Sequence, residues 1–299
     1  MLRQLRKSLV WYAFIAPTFI IYAAFVAYPT LQTFRLSVFQ EVATKQHFVG
    51  ALQYWRLLTT DVFYTALLNT LGLGIAFLVL VVPLSLILAT LLNQLRYLPN
   101  LFKTIYFLPQ ITSTVAIAVI FSYVFNPNWG LVNGGLRLLG VQTVPLWLAE
   151  PRVSLTGSRA MATIMAVWTA LGYEMLIFLA GLQAVPIELH DAALVDGASP
   201  LQEWWHITIP TLRPTIVFIL LTGTIDAMSR FSDLWTLGGP AGSPARSLQT
   251  IVMYMYQTAF EGSDFNLASA IAVVMFVIVL VLTLVNFRVF LRRDFANAD

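Results

Sequence analysis

The sequence predicts an all-α integral membrane protein of about six transmembrane helices, and three observations lead there. Hydrophobic residues make up 59% of the 299-residue chain and charged residues only 10%, where a soluble domain carries about 25% charged. Mean hydropathy is +0.78. The apolar residues also come in long unbroken blocks, several near the roughly 20 residues that a helix needs to cross about 30 Å of hydrocarbon. Soluble globular and disordered readings are thereby excluded. The formal charge of +3 and the pI near 9.2 suit Lys and Arg gathered at a cytosolic membrane face, and argue against nucleic acid as a partner. With no cysteine in the chain, disulfides, thiolate zinc sites and Cys nucleophiles are impossible.

The expected spans are Leu9–Tyr28, Leu67–Leu92, Thr104–Phe125, Ala160–Leu182, Pro214–Leu234 and Ser269–Phe290. The first follows Arg3, Arg6 and Lys7, as a signal peptide would. Its apolar run is too long for that, and no clear Ala-x-Ala site follows, so it reads as a retained helix. The second contains Pro83 and is expected to tilt or kink. Segments 29–66, 127–159 and 238–268 read as external loops, with turn clusters at Asn126-Pro127-Asn128-Trp129-Gly130 and Gly238-Gly239-Pro240. Segment 93–103 is a short basic internal loop. No internal repeat is visible.

Charge placement sets the orientation. With the N-terminus inside, the cytosolic pieces hold Arg3, Arg6, Lys7, Arg96, Lys103, Arg213, Arg288, Arg292 and Arg293. The longer external loops hold Arg35, Lys45, Arg56, Arg137, Arg152, Arg159 and Arg246. The higher density inside predicts that both termini are cytoplasmic.

One internal loop, 184–213, is long and polar and is patterned as two short helices around a turn. Pro186 suits a first helical position, and Glu188 sits where the helix dipole favours an anion. Asp196-Gly197 supplies the turn, since glycine takes a positive φ without steric cost. A second helical piece runs through Trp204-Trp205, a pair suited to the headgroup level.

This loop resembles the membrane subunits of ABC importers. It holds Asp191-Ala192-Ala193, then Asp196-Gly197-Ala198, then Ile207-Thr208-Ile209-Pro210, where the family has Glu-Ala-Ala, Gly-Ala behind an Asp, and Ile-x-Leu-Pro. It departs by Asp at 191 and Ile at 209. Tyr28-Pro29, Phe48-Val49-Gly50, Asn69-Thr70, Leu108-Pro109, Phe125-Asn126-Pro127, Gly238-Gly239-Pro240, Tyr254-x-Tyr256, Ala259-Phe260 and Ala268-Ser269-Ala270 are similar to the carbohydrate-uptake permeases. Within that group they look like the first permease subunit of the maltose and glycerol-phosphate type. The resemblance implies the ABC importer permease fold, with a single permease domain over 1–299, in the inner membrane of a prokaryote. It implies a second, homologous permease subunit, two ATP-binding subunits and an extracytoplasmic solute-binding protein as partners. It also implies that the loop docks on an ATPase subunit through Glu188, Asp191, Ala192, Ala193, Asp196, Gly197, Ala198 and Pro210. The residues agree with this: Ala192, Ala193, Gly197 and Ala198 are small and permit close approach, and Asp191 and Asp196 suit basic groups. None of Lys7, Lys45 and Lys103 follows a Gly-x-x-x-x-Gly, so the chain has no phosphate loop. The expectation is that ATP and Mg are bound by partner subunits, and that this chain has no cofactor, metal or catalytic residue of its own.

Ionised side chains at mid-bilayer cost roughly 2.5–3.5 kcal/mol even on insertion scales, yet Glu174, Asp226, Arg230 and Asp233 fall within expected spans. The last three are spaced to share a helix face, where an Asp226–Arg230 pair would offset part of that cost. Sugar recognition needs hydrogen-bonding groups and an aromatic face. The candidates are Gln110, Thr114, Trp168, Gly172, Tyr173, Glu174, Asp226, Arg230 and Asp233, each of which also suits plain helix packing. The charges leave a charged substrate, such as a glycerol phosphate, open. An ion-coupled secondary transporter is the runner-up and requires inverted repeats and broken helices, which the sequence does not display. A membrane enzyme requires an acid/base or metal cluster, and the three histidines His47, His190 and His206 form none.

Overall fold

The computed structural model describes residues 12, 14–42, 45–95, 97–148 and 155–295. Arg3, Arg6, Lys7, Arg96 and Arg152, which weigh in the orientation argument, lie outside the described residues, as does Leu9 at the start of the first expected span. The chain divides into two compact units, Met1–Asp61 with Met255–Phe276, and Val62–Tyr254 with Val277–Asp299.

In the first unit, helix α1 covers Phe14–Leu36, and its apolar window is 0% buried, which suits a helix facing lipid. It runs eight residues past the expected end at Tyr28, into what the sequence presents as external loop. The described residues beyond it also form regular elements. Strands β1 (Phe39–Val42) and β2 (Lys45–Phe48) pair antiparallel, Phe39 opposite Phe48, and helix α2 covers Leu52–Leu58. The hairpin is a small addition to an otherwise helical fold. Asn266 ties it down: its Nδ2 donates to the Leu36 carbonyl at 3.1 Å, and its Oδ1 accepts from the Glu41 N–H at 3.3 Å.

The second unit begins along helix α3 (Asp61–Asn93), which contains Pro83. The expected third span is in fact two helices, α4 (Pro99–Ile111) and α5 (Thr114–Val124), bent by 98° at Thr112-Ser113. Pro109 cannot donate a helical hydrogen bond. The run Thr112-Ser113-Thr114 behind it offers side-chain oxygens that compete with the helical ladder; Thr112 Oγ1 donates to the Leu108 carbonyl at 2.9 Å. Helix α6 (Leu131–Leu138) follows, and α7 (Leu155–Gln183) is the long fourth span. The loop at 184–213 then holds α8 (Ile187–Val195) and α9 (Pro200–Thr211), the latter meeting α10 (Arg213–Met228) at 63°. The fifth span is therefore shorter than expected: α10 stops at Met228, and α11 (Ser232–Gly238) starts after a break at Phe231. Helices α12 (Ile251–Tyr256) and α13 (Phe265–Phe295) complete the chain. Among the described residues, four helices meet the length and composition for a span, and six do if each bent pair counts as one.

The core of the second unit is built where α3, α7 and α10 meet. Leu86, Ala89 and Leu92 pack on Met175, Phe178, Leu179 and Leu182, with Leu212 and Ile219 beside them. A polar seam lies further along α3. Buried Asn69 donates from Nδ2 to the carbonyls of Arg246 (2.6 Å) and Gln249 (3.0 Å) and accepts from Arg159 at 2.7 Å. Thr70 Oγ1 accepts from the Ile251 N–H at 2.9 Å. The Asn69-Thr70 pair thus anchors the loop that follows Gly238-Gly239-Pro240.

Helix α4 reaches α7 at Gly172. A Cβ added there would lie 1.9 Å from the Tyr106 carbonyl oxygen, so only glycine admits this approach. Gly172→Ala should cost at least about 1–3 kcal/mol by overpacking and lower the thermal midpoint in detergent. Gly134→Ala, inside α6 where an added Cβ meets nothing within 4 Å, should not lower it and should raise it slightly, since alanine favours a helix over glycine.

Candidate functional site

The two helix breaks converge on one cavity of about 300 Å³ in the second unit. Gln110 and Thr114 come from either side of the α4–α5 bend, Tyr173 and Glu174 from mid-α7, Asp226 from the end of α10, and Arg230 and Asp233 from the α10–α11 break. Non-helical backbone at membrane depth is tolerated where it lines such a cavity, because its freed polar groups then find partners. Of the nine residues that the sequence singles out for a pathway, seven line this cavity. Trp168 and Gly172 do not: Trp168 packs its ring 5.6 Å from Phe121, and Gly172 serves the α4–α7 contact. Sequence reasoning missed Phe77, Phe231 and Ser232, which also line the cavity. The Phe-Ser pair carries no periodic signal and is brought there by the break.

The ion pair that forms is not Asp226–Arg230. Arg230 pairs with Asp233, its Nε at 2.9 Å and its Nη2 at 2.5 Å from Oδ2, and Nη2 also donates to the Ala162 carbonyl at 3.0 Å. The spacing argument for Asp226–Arg230 assumed one continuous helix. The helix ends at Met228, so Arg230 swings out of the Asp226 register. Both side chains of the real pair are mostly buried, at 11% and 14% exposure. Two buried polar atoms on residues that line the cavity have no hydrogen-bond partner among the described residues, Glu174 Oε2 and Arg230 Nη1.

A second hollow, of about 450 Å³, lies in the loop at 184–213 between α8 and α9. Pro186 is the N-cap of α8 rather than its first residue, and Glu188 occupies the first turn. Gly197 has φ +74°. The Ala198 N–H reaches back to the Ala193 carbonyl at 3.0 Å, a glycine-terminated helix end that satisfies its last carbonyls. Ser199 and Gln202 then form a capping box that starts α9. His190 on α8 contacts Glu203 on α9 through Nδ1 and Oε1, which joins the two helices. The hollow is lined by Ala192, Ala193, Asp196, Gly197 and Ala198 among others. Ala193 is otherwise buried, at 6% exposure, whereas Asp191, Ala192, Asp196 and Gly197 are exposed. Glu188, Asp191 and Pro210 are not in its lining. The tryptophans divide: Trp204 packs against the core and donates to Thr90 Oγ1 at 3.1 Å, while Trp205 is 61% exposed.

Broken membrane helices around a polar cavity, with a helical elbow at one end, define a multi-pass membrane transport component. The particular family follows from comparison. Residues 81–295 match the binding-protein-dependent transport system inner membrane component family, and the chain belongs to it. It is 33% identical over 284 residues to the arabinooligosaccharides transport system permease protein AraP of Bacillus subtilis, covering 94% of this chain and 88% of that one. It is 31% identical over 278 residues to the lactose transport system permease protein LacF of Rhizobium radiobacter, covering 92% and 91%. A chain in the crystal structure of a bacterial ABC transporter involved in the import of the acidic polysaccharide alginate superposes with a TM-score of 0.83 at 25% identity, over 97% of this chain and 98% of that one.

Removing one member of a buried ion pair costs about 3–5 kcal/mol, because the other is left uncompensated. Arg230→Ala and Asp233→Ala should each lower the thermal midpoint in detergent sharply, and the double variant by less than their sum. Additive losses would show that the two side chains are not coupled.

Proposed function

We propose that this chain is the transmembrane permease subunit of an ATP-driven, binding-protein-dependent importer for a sugar. The observation that carries the reading is the cavity where the two broken helices meet. It sets Gln110, Thr114, Tyr173 and Glu174 beside Phe77 and Phe231, so hydrogen-bonding groups for hydroxyls stand next to aromatic faces for the C–H side of a ring. Relatives named for arabinooligosaccharides, lactose and trehalose/maltose support a saccharide as cargo. Gln110, Thr114, Tyr173 and Asp226 are exposed in the isolated chain, which favours a second, homologous permease subunit as the opposite wall. In this reading the chain forms half of the pathway within one permease domain.

The elbow is the coupling element. Two ATP-binding subunits, which hold ATP and Mg, dock from the cytosol against α8 and the turn at Asp196-Gly197. A solute-binding protein delivers the sugar from outside, and both termini are cytoplasmic. Exposed Asp191, Ala192 and Asp196 support close contact with basic partner groups, with Glu188 in the first turn of α8. Closure of the ATPases moves the elbow as a rigid piece and switches the cavity between inward- and outward-facing states. The capping box, the glycine-terminated helix end and the His190–Glu203 contact make the elbow stiff enough to move as one body.

Gly197→Val tests this role. A β-branched residue at positive φ costs roughly 1–2 kcal/mol, too little to unfold the chain but enough to reshape the turn. The expected result is an assembled complex that hydrolyses ATP without sugar uptake in proteoliposomes. Uptake at the wild-type rate would refute coupling through the elbow.

A further inference from the structure

The lining of the cavity is acidic, and we propose that this makes the pathway selective for saccharides without an anionic group, rejecting uronic acids and sugar phosphates. The inference rests on the sugar-import reading and narrows it. Three carboxylates, Glu174, Asp226 and Asp233, face the cavity, against a single guanidinium, Arg230. Arg230 is already engaged by Asp233, so its charge is spent within the wall. Glu174 and Asp226 remain without a cationic counterpart in the lining. Even with a proton on Glu174, two carboxylates stand against one guanidinium.

The two unpartnered atoms say what kind of group the site expects. Glu174 is 3% exposed, and its Oε2 has no hydrogen-bond partner among the described residues. A buried acceptor left unpaired is costly, and a hydroxyl donor on the cargo satisfies it. Arg230 Nη1 is a buried donor in the same state, and a hydroxyl or ring oxygen satisfies that. A saccharide hydroxyl both donates and accepts, so a neutral sugar answers both atoms. A carboxylate or phosphate answers only the guanidinium, and meets the repulsion of Glu174 and Asp226 in a low-dielectric wall, where like charges repel most strongly. The fold does not dictate this choice. The alginate importer, whose chain superposes closely on this one, is involved in moving an acidic polysaccharide, so discrimination falls to the side chains of the cavity.

The test uses the complete importer in proteoliposomes with its binding protein saturated, so that the binding protein's own preference drops out. The probes are lactose, maltose, trehalose and arabinotriose, and for each hexose disaccharide the form with one hydroxymethyl oxidised to a carboxylate. Binding of each probe to the binding protein is measured separately. We expect ATP-driven uptake of a neutral probe at least tenfold faster than of its acidic form. Asp226→Asn should narrow that ratio at least threefold. Glu174→Gln is the second variant, should Asp226→Asn fail to assemble, and should narrow it likewise. Equal uptake of neutral and acidic forms by the wild type, or a ratio that neither variant changes, overturns the charge selectivity and leaves the sugar reading standing. Uptake of none of the neutral probes overturns the sugar reading itself, and the selectivity with it.

Discussion

Hydrocarbon supplies no hydrogen bonds, and this lack governs the architecture. Every backbone or side-chain polar group at membrane depth must find a protein partner or a cavity. In the second unit the helices obey the rule along most of their length, packing Leu, Met and Phe in the core around Phe178 and Leu212. They stop obeying it at Thr112-Ser113 and again at Ser229–Phe231, and the cavity opens at these two places. The breaks and the in-membrane charges are thus one feature. A kink that frees backbone groups needs a polar surround, and Glu174, Asp226, Arg230 and Asp233 need somewhere that is not lipid.

The cavity and the elbow differ in what holds them. The cavity depends on close backbone approach and on a buried pair. Gly172 lets α4 lie against α7, and Arg230 ties the α10–α11 break to α7 through the Ala162 carbonyl and to α11 through Asp233. The elbow depends on local capping chemistry instead. Its turn is closed by Gly197, its second helix is started by Ser199 and Gln202, and it joins the membrane core through the Trp204–Thr90 hydrogen bond. Such local integrity is what the proposed coupling role asks of it.

Much of this was legible from residue pattern alone. The apolar blocks gave the spans because burial in lipid is additive along a helix and leaves a plain compositional trace. The elbow was legible because a glycine-terminated helix and a following polar helix are determined by neighbours in sequence. Its capping box at Ser199-x-x-Gln202 was equally local and went unread. The broken helices also went unread, although they were the feature whose apparent absence counted against a secondary transporter. Their presence does not revive that reading, since the chain belongs to the binding-protein-dependent transport family.

By itself, the sequence determined that the chain lives in a membrane, how many apolar segments it has, and which ionisable residues sit among them. These follow from composition and periodicity, which act residue by residue. Tertiary structure alone decided that Arg230 meets Asp233 rather than Asp226, that Gly172 and Trp168 stand outside the lining of the cavity, and that Phe77, Phe231 and Ser232 belong to it. Each of those outcomes turns on where a helix stops. A stop near the end of α10 rotates every later side chain out of register, and no periodicity in the residues upstream records it.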